Sequence, residues 1–474
     1  MKSNNLLPQL GLFTTIAIVV GAVIGSGIFK KPAVMAGYLG SPELLLGIWV
    51  LAGVLTLFGA LSNAEVAGLI TETGGQYVFF DKMYGNLTSY LYGWAILSVI
   101  QTGSIASITY VFAEYTEYFF KLPRFSPDIE NSYFMYMPFV GKIFPLKDFG
   151  VKSLTILVIF LLSLVNYFGI KYGGRVAEFF TTAKVLAMLI LISAGFMYGG
   201  GSFDNFTLDS AEFSAGEIGI LGGLVAALSA AFWAFDGWNN VTYIAGEVKN
   251  PMKNIPKALI IGTLIIIAVY MLINLSYLYV LPIEVMSASK LVAADVAEKS
   301  IGVWGGSLIA ALVMVSTFGT SNGTIMVSAR VYFAMSKNNM FFSPFGEVSS
   351  KFNTPGNALL LQAIWSAGLV MSGSFDDLTD MLIFVSWIFY ALGAYGVIVL
   401  RKKMPNAPRP YKVPFYPWIP LIFVFVASLF VILTLYNDIN NYISGKTEII
   451  NSTFGLMLVL VGLPLYYYFR KKKQ

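Results

Sequence analysis

The sequence predicts an all-α membrane protein with twelve transmembrane helices. Three observations carry that expectation. The chain of 474 residues is 57% hydrophobic and only 12% charged, where a soluble globular chain carries about 25%. Its apolar residues fall into twelve runs, each long enough for a hydrocarbon core of about 30 Å. Inside lipid the main chain has no outside hydrogen-bond partner, so every run must be helical.

In order, the expected spans are Leu10–Tyr38, Glu43–Ile70, Leu87–Ala113, Leu154–Ile170, Glu178–Met197 and Gly216–Gly246. They continue with Ile255–Leu281, Gly305–Phe333, Asn357–Met371, Leu378–Leu400, Tyr416–Tyr436 and Thr453–Phe469. The first is read as a retained span rather than a signal peptide: its basic region is Lys2 alone and no A-x-A-like cleavage site follows. Tyr115 to Lys152, the longest polar-leaning stretch, is too short and too broken by proline to hold a core of its own. With the N-terminus inside, nineteen of the thirty Lys and Arg fall on cytoplasmic segments, ten fall outside and Lys184 lies within a span. That bias places both termini in the cytoplasm. The runs Arg401–Lys403 and Arg470–Lys473 contribute to it, with contact to anionic lipid as the weaker alternative.

Composition also excludes. There is no Cys and no His, which removes disulfides, thiolate chemistry, histidine proton relays and the common zinc sites. No metal or cofactor is expected. The net charge of +5 sits in short connections, so it reads as membrane orientation and not as nucleic-acid binding. No cluster of nucleophile and base suggests an enzyme.

Two spans are interrupted where a membrane helix should run on. Span one contains Gly21-Ala-Val-Ile-Gly25-Ser26-Gly27-Ile28-Phe29, and each glycine weakens a helix by about 1 kcal/mol relative to Ala. Span six contains Trp233-Ala-Phe-Asp236-Gly237-Trp238-Asn239-Asn240. A lone glycine more often serves close helix packing, but paired interruptions at corresponding positions point to a transporter's midplane site. Spans one and six are five apart, so each repeat has five helices, and the odd number turns the second copy over. The implied division is 1–200 for the first inverted repeat, 201–403 for the second and 404–474 for two peripheral spans and a basic tail. An unwound turn exposes N–H groups at the start of one half-helix and C=O groups at the end of the other. A carboxylate fits the amides of Gly25, Ser26 and Gly27. An ammonium fits the carbonyls near Val23 and Ile24, and those around Trp233 and Asp236.

At these residues the sequence resembles the amino acid–polyamine–organocation (APC) superfamily, which has the LeuT-like fold with helices one and six unwound at mid-membrane. Gly25-Ser26-Gly27-Ile28-Phe29 looks like its first-helix motif. Phe235-Asp-Gly-Trp-Asn239, Gly246-Glu-Val-Lys-Asn-Pro251, Phe318-Gly-Thr-Ser-Asn-Gly-Thr324 and Arg409-Pro-Tyr-Lys-Val-Pro414 narrow the match. They resemble the L-type amino acid transporter branch and bacterial relatives that include serine/threonine exchangers. The resemblance implies an amino acid carboxylate on the Gly25–Gly27 turn and an ammonium on the carbonyls of Val23, Trp233 and Asp236. It implies a gate at Trp233, a pocket wall at Asn239, and side-chain contacts from Ile100 and Ser104. Asp236 either meets the ammonium directly or caps a half-helix.

Lys184 lies within a span, where a charge costs roughly 2.5–3.5 kcal/mol on insertion scales. In the family, the matching lysine stands where sodium-driven relatives bind sodium and bridges helix one to helix eight, with Thr320 and Thr324 as natural partners here. Snorkelling to the cytoplasmic interface is the alternative. Glu65 and Glu178 read as interface anchors. Lys30 and Lys31 either bias the outer vestibule toward anions or simply face water.

The resemblance therefore implies a sodium-independent exchanger of small or medium neutral L-amino acids, resident in the cell membrane, with lipid and substrate as its partners. A proton-coupled symporter using Lys184 as carrier is the alternative, and a non-transporting amino acid sensor the reading from another class. Animal members pair with a glycoprotein through an extracellular cysteine. This chain has no Cys, so no disulfide-linked partner is expected.

Overall fold

In the computed structural model of the chain, the described residues are 10–72, 74–168, 170–207, 219–349, 352 and 354–473. The side chains of 170–179, 181–183, 472 and 473 lie outside that description, so the expectation for Glu178 does too. Among the described residues, ten helices are long and apolar enough to cross a membrane, and the shorter apolar segments Lys184–Met197 and Gly356–Ser372 join them.

The first apolar run forms two helices, α1 (Leu12–Val23) and α2 (Gly27–Leu39). Helix α3 (Pro42–Leu69) begins where the Ser41 hydroxyl accepts the Leu44 N–H at 3.2 Å, a capping bond that uses an otherwise unmatched donor. Short α4 (Gln76–Tyr84) leads into α5 (Asn86–Thr116). Helices α6 (Phe149–Tyr167) and α7 (Ile170–Met197) follow. Helix α8 (Gly219–Phe235) stops early, and the chain resumes as a 3-10 turn over Asn240–Glu247. The expected span Gly216–Gly246 is therefore helical in two parts.

Helix α9 (Pro251–Val280) is followed by short α10 (Ile283–Ala288) and α11 (Val292–Ile301), then by the 35-residue α12 (Val303–Lys337) and by α13 (Gly356–Ser372). Helix α14 (Phe375–Lys403) opens on a capping box between Ser374 and Asp377, with Arg401–Lys403 in its last turn. Those charges match both ends of its dipole. Helices α15 (Trp418–Ile443), α16 (Asn451–Leu460) and α17 (Gly462–Lys473) close the chain.

Two features go beyond the expected spans. The polar stretch after α5 carries a small hairpin, Met135–Met137 paired with Gly141–Ile143. Main-chain bonds from Lys142 N–H to Glu448 O and from Ile450 N–H to Val140 O tie it to the start of α16. Helix α5 also contains a π turn over Ile96–Ile100, which shifts every later residue around the helix.

Glu65 is not an interface anchor. Its carboxylate is buried and takes a bidentate pair from Arg401, at 2.8 and 2.7 Å. Arg409 Nε lies at 3.3 Å, and the Val413 N–H donates at 2.8 Å. The Arg409–Pro414 motif therefore has a structural purpose, folding the strap after α14 over the end of α3. Removing one partner of a buried ion pair leaves the other charge stranded, at about 3–5 kcal/mol. Glu65→Ala is expected to lower the apparent melting temperature in detergent sharply. Glu65→Gln, which keeps hydrogen-bond acceptance without the charge, should fall between. Intrinsic tryptophan fluorescence on heating measures both.

Candidate functional site

Helix α1 ends because Ile24 leaves helical geometry, at ψ 92°, while its N–H still reaches Val20 O at 2.9 Å. Helical geometry returns at Ser26, and α2 starts at Gly27. The glycines do different work. A Cβ on Gly27 would lie 2.5 Å from the Ala234 Cα, so α2 and α8 pack there backbone to backbone. A Cβ on Gly25 would meet nothing closer than the Thr320 methyl at 3.5 Å. Gly27 is required by packing, whereas Gly25 keeps space open. In the second break Gly237 adopts φ +95°, a conformation that side chains disfavour. A Cβ there would sit 3.0 Å from Ala22 O. The two breaks therefore face each other.

The exposed carbonyls are accounted for one by one. Lys184 Nζ donates to Gly21 O at 2.7 Å, Ile24 O at 3.0 Å and Thr320 Oγ1 at 2.9 Å. Its ammonium has three donors and here three acceptors. The side chain is 2% exposed, so it does not snorkel. Thr324 is not a partner: its hydroxyl donates to Thr320 O at 3.0 Å. Ile24 likewise departs from expectation, since its carbonyl serves Lys184. Trp233 O accepts the Asp236 N–H at 3.1 Å. The Tyr270 hydroxyl on α9 lies 3.0 Å from Val23 O and 2.9 Å from Ala234 O. Its single proton serves one of these acceptors at a time.

The donors are less occupied. Among the described residues, no main-chain acceptor meets the N–H groups of Gly25, Ser26 or Gly27. The Ser26 hydroxyl and the Trp233 indole N–H are buried without partners. Unmatched amides at the N-terminal end of α2 give that end partial positive charge.

Around these groups lies a cavity with about 20 Å³ for the centre of a water molecule, room for about one water. Val23, Gly25, Ser26, Gly27, Ser104, Trp233, Asp236, Thr320 and Thr324 line it, as do Ala22, Ile108, Gly237 and Asn240. Ile100 does not; of its helix, Ser104 and Ile108, one and two turns further on, line it. Asn239 does not either. After the reversal at Gly237, Asn240 faces inward, and the Asn239 carbonyl accepts the Thr242 hydroxyl at 2.7 Å. Neither shift shows in the spacing of apolar residues. The Asp236 carboxylate accepts from Tyr390 OH at 2.6 Å.

Residues 10–463 match the amino acid permease family. The chain belongs to that family. This permease is similar to the serine/threonine exchanger SteT of Bacillus subtilis (strain 168), at 30% identity over all of this chain and 99% of the relative. It is 30% identical to the human b(0,+)-type amino acid transporter 1, over 99% of this chain and 89% of that protein. It is 29% identical to the mouse large neutral amino acids transporter small subunit 2, over 97% and 80% respectively. The permease is thus a multi-pass membrane transporter of amino acids.

The two glycines should separate by experiment. Gly27→Ala forces α2 from α8, an overpacking cost of about 1–3 kcal/mol, and should lower thermal stability. Gly25→Ala should keep near-native stability and lose amino acid binding, read by ligand-induced thermal shift.

Proposed function

We propose that this permease exchanges small or medium neutral L-amino acids across the cytoplasmic membrane without sodium, by alternating access. The observation that carries this reading is the Lys184 ammonium, held by Gly21 O, Ile24 O and Thr320 Oγ1. A fixed cation of the protein's own supports the negative end of α1 and joins it to α12, so no inorganic cation is needed there. The substrate carboxylate takes the amides of Gly25, Ser26 and Gly27, and its ammonium takes Val23 O on the other side of the break. Ser104, Trp233 and the confined space favour a modest side chain. The relative named as a serine/threonine exchanger supports exchange.

The architecture proposed with this function is LeuT-like: ten spans in two inverted repeats, 1–200 and 201–403, with 404–474 peripheral and both termini cytoplasmic. Counting Lys184–Met197 and Gly356–Ser372 as spans gives twelve. The packing supports it. Helix α1 packs on α9 as α8 packs on α3; α12 packs on α7 as α14 packs on α5; α12 packs on α6 as α13 packs on α5. Each pairing maps to the other when spans are advanced by five.

Proteoliposomes test the reading. Uptake of labelled serine, threonine or a larger neutral amino acid should require internal amino acid and ignore sodium. Uptake that follows an imposed pH gradient with empty vesicles would instead establish proton symport. Lys184→Ala strands two buried carbonyls at about 1–3 kcal/mol each, and exchange should fall by about tenfold or more. Native exchange in that variant would remove Lys184 from the mechanism.

A further inference from the structure

Helix α12 presents two faces of different chemistry. Thr320 and Thr324 line the cavity between the breaks. Ala311, Met314, Val315 and Phe318 follow one another at helical spacings of three and four, which puts them in one stripe. That stripe is half-buried. With Phe112 on α5, Phe119 just past its end and Phe180 on α7, it walls a cleft of about 400 Å³. The Phe318 ring lies 5.7 Å from that of Phe112 and 5.5 Å from that of Phe180. Every lining residue is apolar.

The walls belong to membrane spans, and the same helices expose Leu186, Leu189 and Leu308, surface that meets hydrocarbon in a spanning helix. Water does not suit the cleft: a buried water makes two to four hydrogen bonds, and these side chains offer no strong donor or acceptor. A dry apolar cavity of about 150 Å³ already takes a molecule of benzene, and this cleft is larger. A helix from a partner does not suit it either. Such a helix is about 10–12 Å across, whereas the stripe covers about 10 Å of rise along α12, too short for a seam between spans. We propose that the cleft holds one acyl chain of a phospholipid, from the leaflet in which α5 ends and α12 begins. The exposed Lys121, two residues past Phe119, supplies a cation for the lipid phosphate.

The chain packs against residues that neighbour the Lys184 contact. Phe318 stands two residues before Thr320 on α12, and Phe180 one turn before Lys184 on α7. Between them Gly319 lets the two helices meet closely, since a Cβ on it would overlap the Phe180 Cβ. Lipid in the cleft therefore covers, from the bilayer side, the place where Lys184 donates to Thr320 Oγ1 at 2.9 Å. Ala311 has the smallest side chain of the stripe. A phenylalanine at that position would occupy the room that alanine leaves.

The test places the full-length chain in vesicles of phosphatidylethanolamine and phosphatidylglycerol. Part of the phosphatidylglycerol carries a photoactivatable diazirine midway along one acyl chain. After illumination and digestion, mass spectrometry counts lipid adducts by position. The reference is the lipid-facing surface of α6, where Leu157, Leu161 and Leu164 are exposed. Adducts on Phe112, Phe119 and Ala311–Phe318 should exceed that reference by about tenfold, the ratio given by a preference of about 1.4 kcal/mol over bulk lipid. Ala311→Phe and, independently, Val315→Trp should fill the cleft and remove the excess while adducts on α6 stay unchanged. Ala311→Gly leaves the cleft open and should keep the excess. Both counts come from the same molecules, so a variant that loses its fold changes the α6 count as well. Equal adducts at cleft and reference, or an excess that survives both fillings, would overturn the site and leave annular lipid only. Lipid contact is read here rather than transport, so the outcome is independent of the exchange assay.

Discussion

A helix that stops inside hydrocarbon strands several N–H and C=O groups, and no water is there to take them. Everything distinctive in this permease follows from how the breaks after Val23 and Phe235 are reconciled with that constraint. The carbonyl side is met by two side chains from neighbouring helices, Lys184 and Tyr270. Lys184 takes Gly21 O and Ile24 O, and Tyr270 stands between Val23 O and Ala234 O. On the amide side, the N–H groups of Gly25, Ser26 and Gly27 meet no main-chain acceptor among the described residues. The first break is asymmetric because its carbonyl end is supported by side chains and its amide end is not.

Close packing and open space are set by neighbouring residues of the same type. Gly27 lets α2 touch the backbone of α8, and Gly237 lets the second break turn against Ala22. Gly25, two residues away, borders the cavity with ordinary clearance. The same logic governs the buried charges. Glu65 gathers Arg401 from the last turn of α14 and Arg409 and the Val413 N–H from the strap after it. Lys30 and Lys31 instead pair across from α2 to α5 and α14.

Much of this was legible in the sequence, for identifiable reasons. Apolar runs of membrane length dictate helices, and a glycine cluster in one of them and an Asp-Gly with two Asn in another mark breaks, since both depend only on local chain chemistry. Lys184 declared itself because an isolated charge in an apolar run needs acceptors from elsewhere. The family motifs could be recognised, yet their physical work could not. Arg409 and Val413 serve Glu65, which lies some 340 residues earlier in the chain and at no spacing a motif can express.

The sequence by itself determined the membrane class, the approximate spans, the two breaks and the family. Tertiary structure alone decided which groups meet. It gave Ile24's carbonyl to Lys184, placed Ile108 and Asn240 on the cavity wall in place of Ile100 and Asn239, and paired Lys30 with Glu114 and the buried Lys31 with Asp376. The reason is geometric. A single positive-φ glycine such as Gly237 redirects all that follows it, and partners on other helices are fixed only once the helices have packed.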